Sequence, residues 1–401
     1  MRLLSLSVLS LLALSSASAH DVVSSAGRLT HEQMIVLDTH LDTPAHFERP
    51  GWDFSNWHEY DWDLTQTDIP RMQAGGLDGG FFVIYTPQGP LTPEGYASAR
   101  DRALGRAAAI QRVVHSNPDK LAFALTAADA ERIHASGKRI VYQSIENSYP
   151  LGEDLSLLET FYKMGVRMAG PVHSRNNQFA DSATDTKPRW NGLSPLGRRW
   201  VAEANRLGIV IDASHASDAT FDQLLKLSKT PIILSHSGPK AMMDHPRNLD
   251  DARMRALAAA GGVMQMNTLY LVPHDTSDAR DAIERRQARW LDLSEAERRQ
   301  LVADKAALGA QTPYTTADFE RFMQSMLHAI RVMGVDHVGL GADWDGGGGI
   351  QGLWDVTYLP KITARLRREG YSDADIGKIW SGNVLRLLRQ AEEHARSQQP
   401  G

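Results

Sequence analysis

The chain has 401 residues, 42% of them apolar, which allows one large domain or two ordinary ones with a sizeable core. Its 43 basic and 48 acidic residues leave a formal net charge of −5, a balance that argues against nucleic acid or an anionic membrane surface as a partner. There is no cysteine, so disulfides are excluded and the fold must rest on its core and any bound metal.

Residues 1–19 read as a secretory leader: Arg2, then an apolar run from Leu3 to Leu14 broken only by serines, then the small-x-small pattern Ala17-Ser18-Ala19. The run is short and serine-rich for a membrane span. Cleavage before His20 is expected, giving a periplasmic or secreted protein with no membrane anchor after processing. Residues 20–401 are read as one catalytic domain. The end, Glu392 to Gly401, is polar and carries no lipid-anchor tail.

The first apolar run, Met34 to Leu37, leads into Asp38-Thr39-His40-Leu41-Asp42. His40 and Asp42, two residues apart on a strand, share a face and can reach one metal ion. Trp52 to Asp63 has no clear period and reads as a loop, Leu64 to Gln73 as a short helix. Gly80 to Tyr85 is the second strand and Pro93 to His115 a helix. Leu121 to Leu125 is a minor strand and Thr126 to Ala135 a helix with Thr126 as N-cap. Arg139 to Ile145 is the third main strand and ends at Glu146. After the helix Glu153 to Met164, Val166 to Val172 is the fourth strand, ending at His173.

Beyond a polar loop, Ser194 and Pro195 open a helix that runs to Leu207. Gly208 to Ser214 is the fifth strand, ending at His215. The helix Ser217 to Leu227 precedes the sixth, Pro231 to Ser235, ending at His236. The helix Asp250 to Ala260 precedes the seventh, Gly262 to Met266. His274 to Pro313 is charged and helical in pattern with few core positions, and reads as an inserted excursion. It has three readings: a cover over the site, a contact with a second copy in a homodimer, or a solvated surface loop. Thr316 to Met333 is an amphipathic helix. The eighth strand, His337 to Ala342, ends at Asp343, and two helices close the chain.

Eight strand-length runs alternating with helices predict an α/β fold, a closed (β/α)8 barrel. An open doubly wound sheet lacks support, because no Gly-x-Gly-x-x-Gly turn or phosphate loop is present. Parallel strands share one C-terminal face, where barrel enzymes build their sites. His40, Asp42, Glu146, His173, His215, His236 and Asp343 all fall there. Imidazoles and carboxylates without thiolates suit zinc or a similar dication, and the set exceeds what one tetrahedral ion needs. Two ions bridged by Glu146, as in binuclear hydrolytic sites, would use it.

The chain resembles the membrane (renal) dipeptidase family of zinc peptidases, a branch of the amidohydrolase superfamily. The matching segments are Asp38-Thr39-His40-Leu41-Asp42, Gly165-Val166-Arg167 through His173-Ser174, Ala180-Asp181-Ser182, Ile211-Asp212-Ala213-Ser214-His215, Ser235-His236-Ser237, His245-Pro246-Arg247-Asn248, Gly339 through Gly346 and Gly382-Asn383. The resemblance implies a metallo-dipeptidase with two Zn2+ per chain. Glu146 would bridge the ions, with His40 and Asp42 on one and His215 and His236 on the other. Asp343 would shuttle the proton, His173 would polarise the scissile carbonyl, and Arg247 would hold the free carboxylate of a small dipeptide, with D-residues at its second position included. Where the family has Gly and His soon after the bridging Glu, this chain reads Asn147-Ser148-Tyr149-Pro150, which bears on substrate preference. The alternatives are hydrolysis of another small amide or lactam on the same metals, or a solute-binding barrel without catalysis.

Overall fold

The computed structural model describes residues 25–398. The expected leader, residues 1–19, lies outside the described residues. Among the described residues no helix is long and apolar enough to cross a membrane.

Among the described residues nine strands form, all paired in parallel: β1 (Leu37–Leu41), β2 (Gly79–Ile84), β3 (Leu121–Phe123), β4 (Arg139–Ile145), β5 (Val166–Ala169), β6 (Val210–Ile211), β7 (Ile233–Ser237), β8 (Val263–Met266) and β9 (Val338–Leu340). β3 is the minor strand and pairs with β4 off the main path. The others run in the order β1-β2-β4-β5-β6 and β7-β8-β9. Single parallel bridges, Asp212 with Ile233 and Leu41 with Trp344, join the two sheets at both edges. The eight expected strands thus form the expected barrel.

Its interior follows from strand alternation. Leu37, Phe81, Tyr142, Met168, Val210, Ile233 and Val263 come from seven different strands yet form one cluster, which places them inside. Val384, Leu387, Leu388 and Ala391 of the C-terminal helix Asn383–Ser397 join that cluster. The alternate residues, such as Phe82, Val141, Ile211 and Leu234, pack outward in the larger core with the surrounding helices. The backbones approach closely at Gly79, where a Cβ would lie 2.0 Å from the Ile140 carbonyl oxygen.

Several boundaries differ from the sequence reading. The fifth strand shrinks to Val210–Ile211, because Asp212 turns its carboxylate onto the Ser214 and Ser235 amides and ends the ladder. The helix expected over Leu64 to Gln73 runs from Ile69 to Gly75; Asp68 caps it by accepting from the Arg71 amide, with Pro70 in its first turn. The loop Trp52 to Asp63 ends in one helical turn, Tyr60–Asp63. The excursion folds as two helices, Asp278–Gln287 and Glu295–Gln311, and its base is closed by an antiparallel bridge between His274 and Thr315.

Candidate metal centre

β1 carries His40 as its penultimate residue, and Asp42 follows the strand directly. The Asp38 carboxylate fixes this end: Oδ1 accepts the His40 amide at 2.8 Å and Oδ2 the Ala342 amide at 3.0 Å, tying β1 to the end of β9. Glu146 directly follows β4 and His236 lies within β7. His173 and His215 stand four residues beyond β5 and β6, on the turns that follow them. Asp343 follows β9 in a left-handed backbone conformation (φ 67°).

These side chains meet at one point. Glu146 Oε1 lies 3.0 Å from His215 Nε2, 3.3 Å from His173 Nε2, 3.6 Å from His40 Nε2 and 3.7 Å from His236 Nε2. His40 Nε2 is also 3.4 Å from Asp42 Oδ2 and 3.9 Å from Asp343 Oδ1. His215 Nε2 and His236 Nε2 are 2.9 Å apart. Among the described residues three overlapping groups could hold a cation: His40, Glu146 and His236; Glu146, His173 and His215; His40, Asp42 and Asp343. The seven residues named from the sequence as metal or catalytic groups are all brought together.

The chemistry of this set fits a metal. His40 Nε2 is buried with no hydrogen-bond partner among the described residues. Burial, with Arg247 and His173 for His215 and with His40 and Arg247 for His236, holds both rings well below the usual histidine range, the neutral state that ligates metal. Against the cost of burial, the His173 and His40 rings hold Glu146 well below the usual carboxylate range. Burial, together with the charges of Asp42 and Glu146, pushes Asp343 up.

The geometry reveals supporting residues that had no assigned role. Ser235 Oγ donates to Asp212 Oδ2 at 2.5 Å, so at 2.9 Å it accepts from His236 Nδ1. That fixes the proton on Nδ1 and leaves the His236 Nε2 lone pair facing Glu146. On the other side, Asp345 accepts from Thr43 Oγ1 and the Gln66 amide, each at 2.6 Å, and locks the loops after β1 and β9 together. Gly346 is required there, since a Cβ would lie 2.1 Å from Asp42 Oδ2 and 2.2 Å from Asp343 Oδ1. Asp212 belongs to the segment Ile211–His215 that carries the family resemblance, but no local spacing marks its bond to Ser235, 23 residues on.

Arg247 is 3% exposed. Nη2 donates to the His236 carbonyl at 3.1 Å and lies 3.3 Å from His215 Nε2; Nη1 donates to Ser237 Oγ at 3.4 Å. Among the described residues no carboxylate pairs with it. Above the centre opens a cavity of about 970 Å³. Its walls include Asp42, Glu146, His173, Arg247 and Asp343, and also Arg280, Trp290 and Lys305 of the excursion and Tyr314 just after it.

Residues 25–400 match the family described as membrane dipeptidase (peptidase family M19). The chain belongs to this family. It is a metallo-dipeptidase by that membership. Dipeptidase tcpJ of Claviceps purpurea is 31% identical over 392 residues, covering 96% of this chain and 82% of that protein. Among solved structures, the probable dipeptidase PvdM from Pseudomonas aeruginosa superposes with a TM-score of 0.79 at 29% identity, over 92% of this chain and 98% of that one. A metallo peptidase from Rhodobacter sphaeroides, liganded with a phosphinate mimic of the dipeptide L-Ala-D-Ala, gives a TM-score of 0.70 at 27% identity, over 89% and 99%. The barrel and the family expected from the sequence are both borne out.

Proposed function

We propose that this chain is an exported binuclear zinc dipeptidase that reads the free carboxylate of its substrate through Arg247. The observation that carries the reading is a buried guanidinium, without a carboxylate partner among the described residues, 3.3 Å from a histidine of the metal centre. Such a group calls for an anion, and a planar fork matches a carboxylate. His40 and Asp42 would hold one ion, His215 and His236 the other, with Glu146 between them. When bound, such ions lower the pKa of water to near neutrality and polarise the scissile carbonyl.

The side chains do the rest. Arg247 anchors the α-carboxylate and so fixes the scissile amide over Glu146. His173, 3.3 Å from Glu146, hydrogen-bonds the carbonyl oxygen as negative charge develops on it. Asp343, whose Oδ1 stands 3.9 Å from His40 Nε2 at the edge of the centre, accepts a proton from the attacking water and passes it to the leaving amine. The D-configured second residue of the mimic bound by the Rhodobacter protein supports acceptance of D-residues at that position here. The leader-like residues 1–19 support export, to the periplasm or the medium.

The test is a panel of free dipeptides, N-blocked dipeptides, dipeptide amides and lactams, with metal counted per chain. Free dipeptides, including those with a D-residue second, are expected to be preferred. Arg247→Met is expected to lose about 2–4 kcal/mol in kcat/KM and the preference for free acid over amide. Wild-type cleavage of amides or lactams as fast as free dipeptides would overturn the carboxylate reading.

A further inference from the structure

Arg106 lies on the helix Pro93–Ser116 that follows β2. In the strand order of the barrel, three strands separate β2 from β7 either way, so Arg106 and Arg247 come from opposite sides of the mouth. Both line the same cavity. An arginine on an outer helix ordinarily carries its charge to water along the protein surface. This one lies mostly within the protein, its side chain 20% exposed.

Its partners are too few for that position. Nε is buried with no hydrogen-bond partner among the described residues. Glu48 Oε2 stands 3.9 Å away, on a side chain that is itself 39% exposed, and Asp42 acts on Arg106 only at longer range. Arg49 stands beside it: burial lowers the Arg49 guanidinium to about 10, with Asp345 and Asp63 opposing that shift and Arg106 adding to it. Arg49 donates to the Asp63 carbonyl at 2.9 Å and stacks 4.2 Å over the Trp290 ring, which leaves it too without a hydrogen-bonded carboxylate. Two guanidiniums held this way in one end of a cavity are costly unless an anion joins them.

The direction of the substrate says which anion. With the α-carboxylate on Arg247 and the amide over Glu146, the chain of the dipeptide points from the β7 side toward β1 and β2. Its first residue would then end near Asp42, and the side chain of that residue would continue toward Arg106, which lines the same cavity and lies within electrostatic reach of Asp42. We infer that Arg106, assisted by Arg49, forms an anion subsite for the first residue of the substrate, selecting dipeptides with a glutamyl or other acidic side chain at that position. This rests on the dipeptidase reading with Arg247 as the carboxylate anchor.

Glu-Ala and Gln-Ala differ by one charge at nearly constant shape, so the ratio of their kcat/KM values isolates the subsite. The wild-type ratio is expected to favour Glu-Ala by about tenfold or more. Arg106→Met is expected to bring it to about one, and Arg106→Lys to restore part of it. A wild-type ratio at or below one overturns the subsite without any variant, as does an undiminished ratio in a natively melting Arg106→Met protein. If no Xaa-Ala substrate is cleaved at all, the dipeptidase reading itself fails. Calorimetry of the metal-loaded protein with phosphinate mimics of Glu-Ala and Gln-Ala then still decides: tighter binding of the first supports the subsite, and equal binding refutes it.

Discussion

Asp343 sits where its protonation can change during turnover. Its left-handed backbone turns the carboxylate into the ring of ligands, and Gly346 leaves room for it beside Asp42. Burial raises its proton affinity, while His40 opposes that shift. Asp343→Asn keeps the shape and removes the exchangeable proton. The variant is expected to retain its metal content and melting behaviour but to lose about 10²–10⁴-fold in kcat. Near-normal turnover with full metal would remove Asp343 from proton transfer. The candidate ligands were legible because each follows an apolar run, a pattern one chain displays on its own. The groups that orient them were not. Ser235 acts only because β6 brings Asp212 beside it, and Asp345 only because the loop after β1 brings Thr43 and Gln66. Those contacts join residues far apart in sequence, and no local spacing announces them. Arg106 was hidden in the same way, as one arginine among several on a long helix.

The excursion after β8 was legible as charged helices, but its placement needed the structure. Ile283, Trp290, Leu301 and Val302 form a small apolar cluster with Leu64, and Tyr60 and Leu308 pack against it. Arg280 clamps the base, donating to Asp275 and to the Thr312 carbonyl. Trp290 lies under Arg49, and both line the cavity. These contacts favour a cover over the mouth among the three readings. Replacing residues 278–306 by a short Gly/Ser linker is expected to raise KM with a smaller change in kcat, because the cavity loses a wall and the metal ligands do not move. Unchanged steady-state constants would return the excursion to the solvated reading. At the far end of the described chain, the helix Ser25–Glu32 docks in part through the buried His31 ring. His31 Nε2 donates to the Gly75 carbonyl at 3.0 Å and Nδ1 accepts from Thr363 Oγ1 at 2.7 Å. Thr363 in turn accepts from Trp380 Nε1. Burial lowers the ring to about 4, against an unfolded value near 6.5. Between those values the unfolded chain binds the extra proton. This contribution is therefore complete above about pH 6.5 and is lost as pH falls toward 4, to a total of about 3 kcal/mol. Urea unfolding of wild type and His31→Gln should show their difference shrinking by roughly that amount from about pH 7 to about pH 4. A difference independent of pH would show that the ring does not stay neutral in the fold.

The barrel is unevenly stitched, and the uneven places are where the ligands gather. β2 and β4 pair along their whole length, from Gly79 with Ile140 to Ile84 with Ile145. β6 meets β7 through the bridge of Asp212 with Ile233, and Ala213 donates to the Ile233 carbonyl at 2.8 Å. β9 meets β1 through Leu41 with Trp344, where Asp42 donates to the Trp344 carbonyl at 2.9 Å. His215 and His236 stand on either side of the first seam, Asp42 and Asp343 on either side of the second, and Glu146 faces both pairs. An ion held by His215 and His236 would close the first seam with bonds that the backbone does not make, and one held by His40 and Asp42 would tie the β1 edge of the second to Glu146. An ion that binds only the folded chain adds about 2.7 kcal/mol when present at a hundred times its dissociation constant, so two such ions weigh heavily against ordinary domain stability. Chelation is therefore expected to lower the melting temperature as well as to abolish activity. The loss should also have an address. Amide hydrogen exchange should accelerate at Ala213 and Asp42, at the two seams, well before the β2–β4 amides respond. Exchange that rises uniformly around the barrel, or a melting temperature indifferent to chelation, would mean that the sheet closes without help and that the ions serve the chemistry alone.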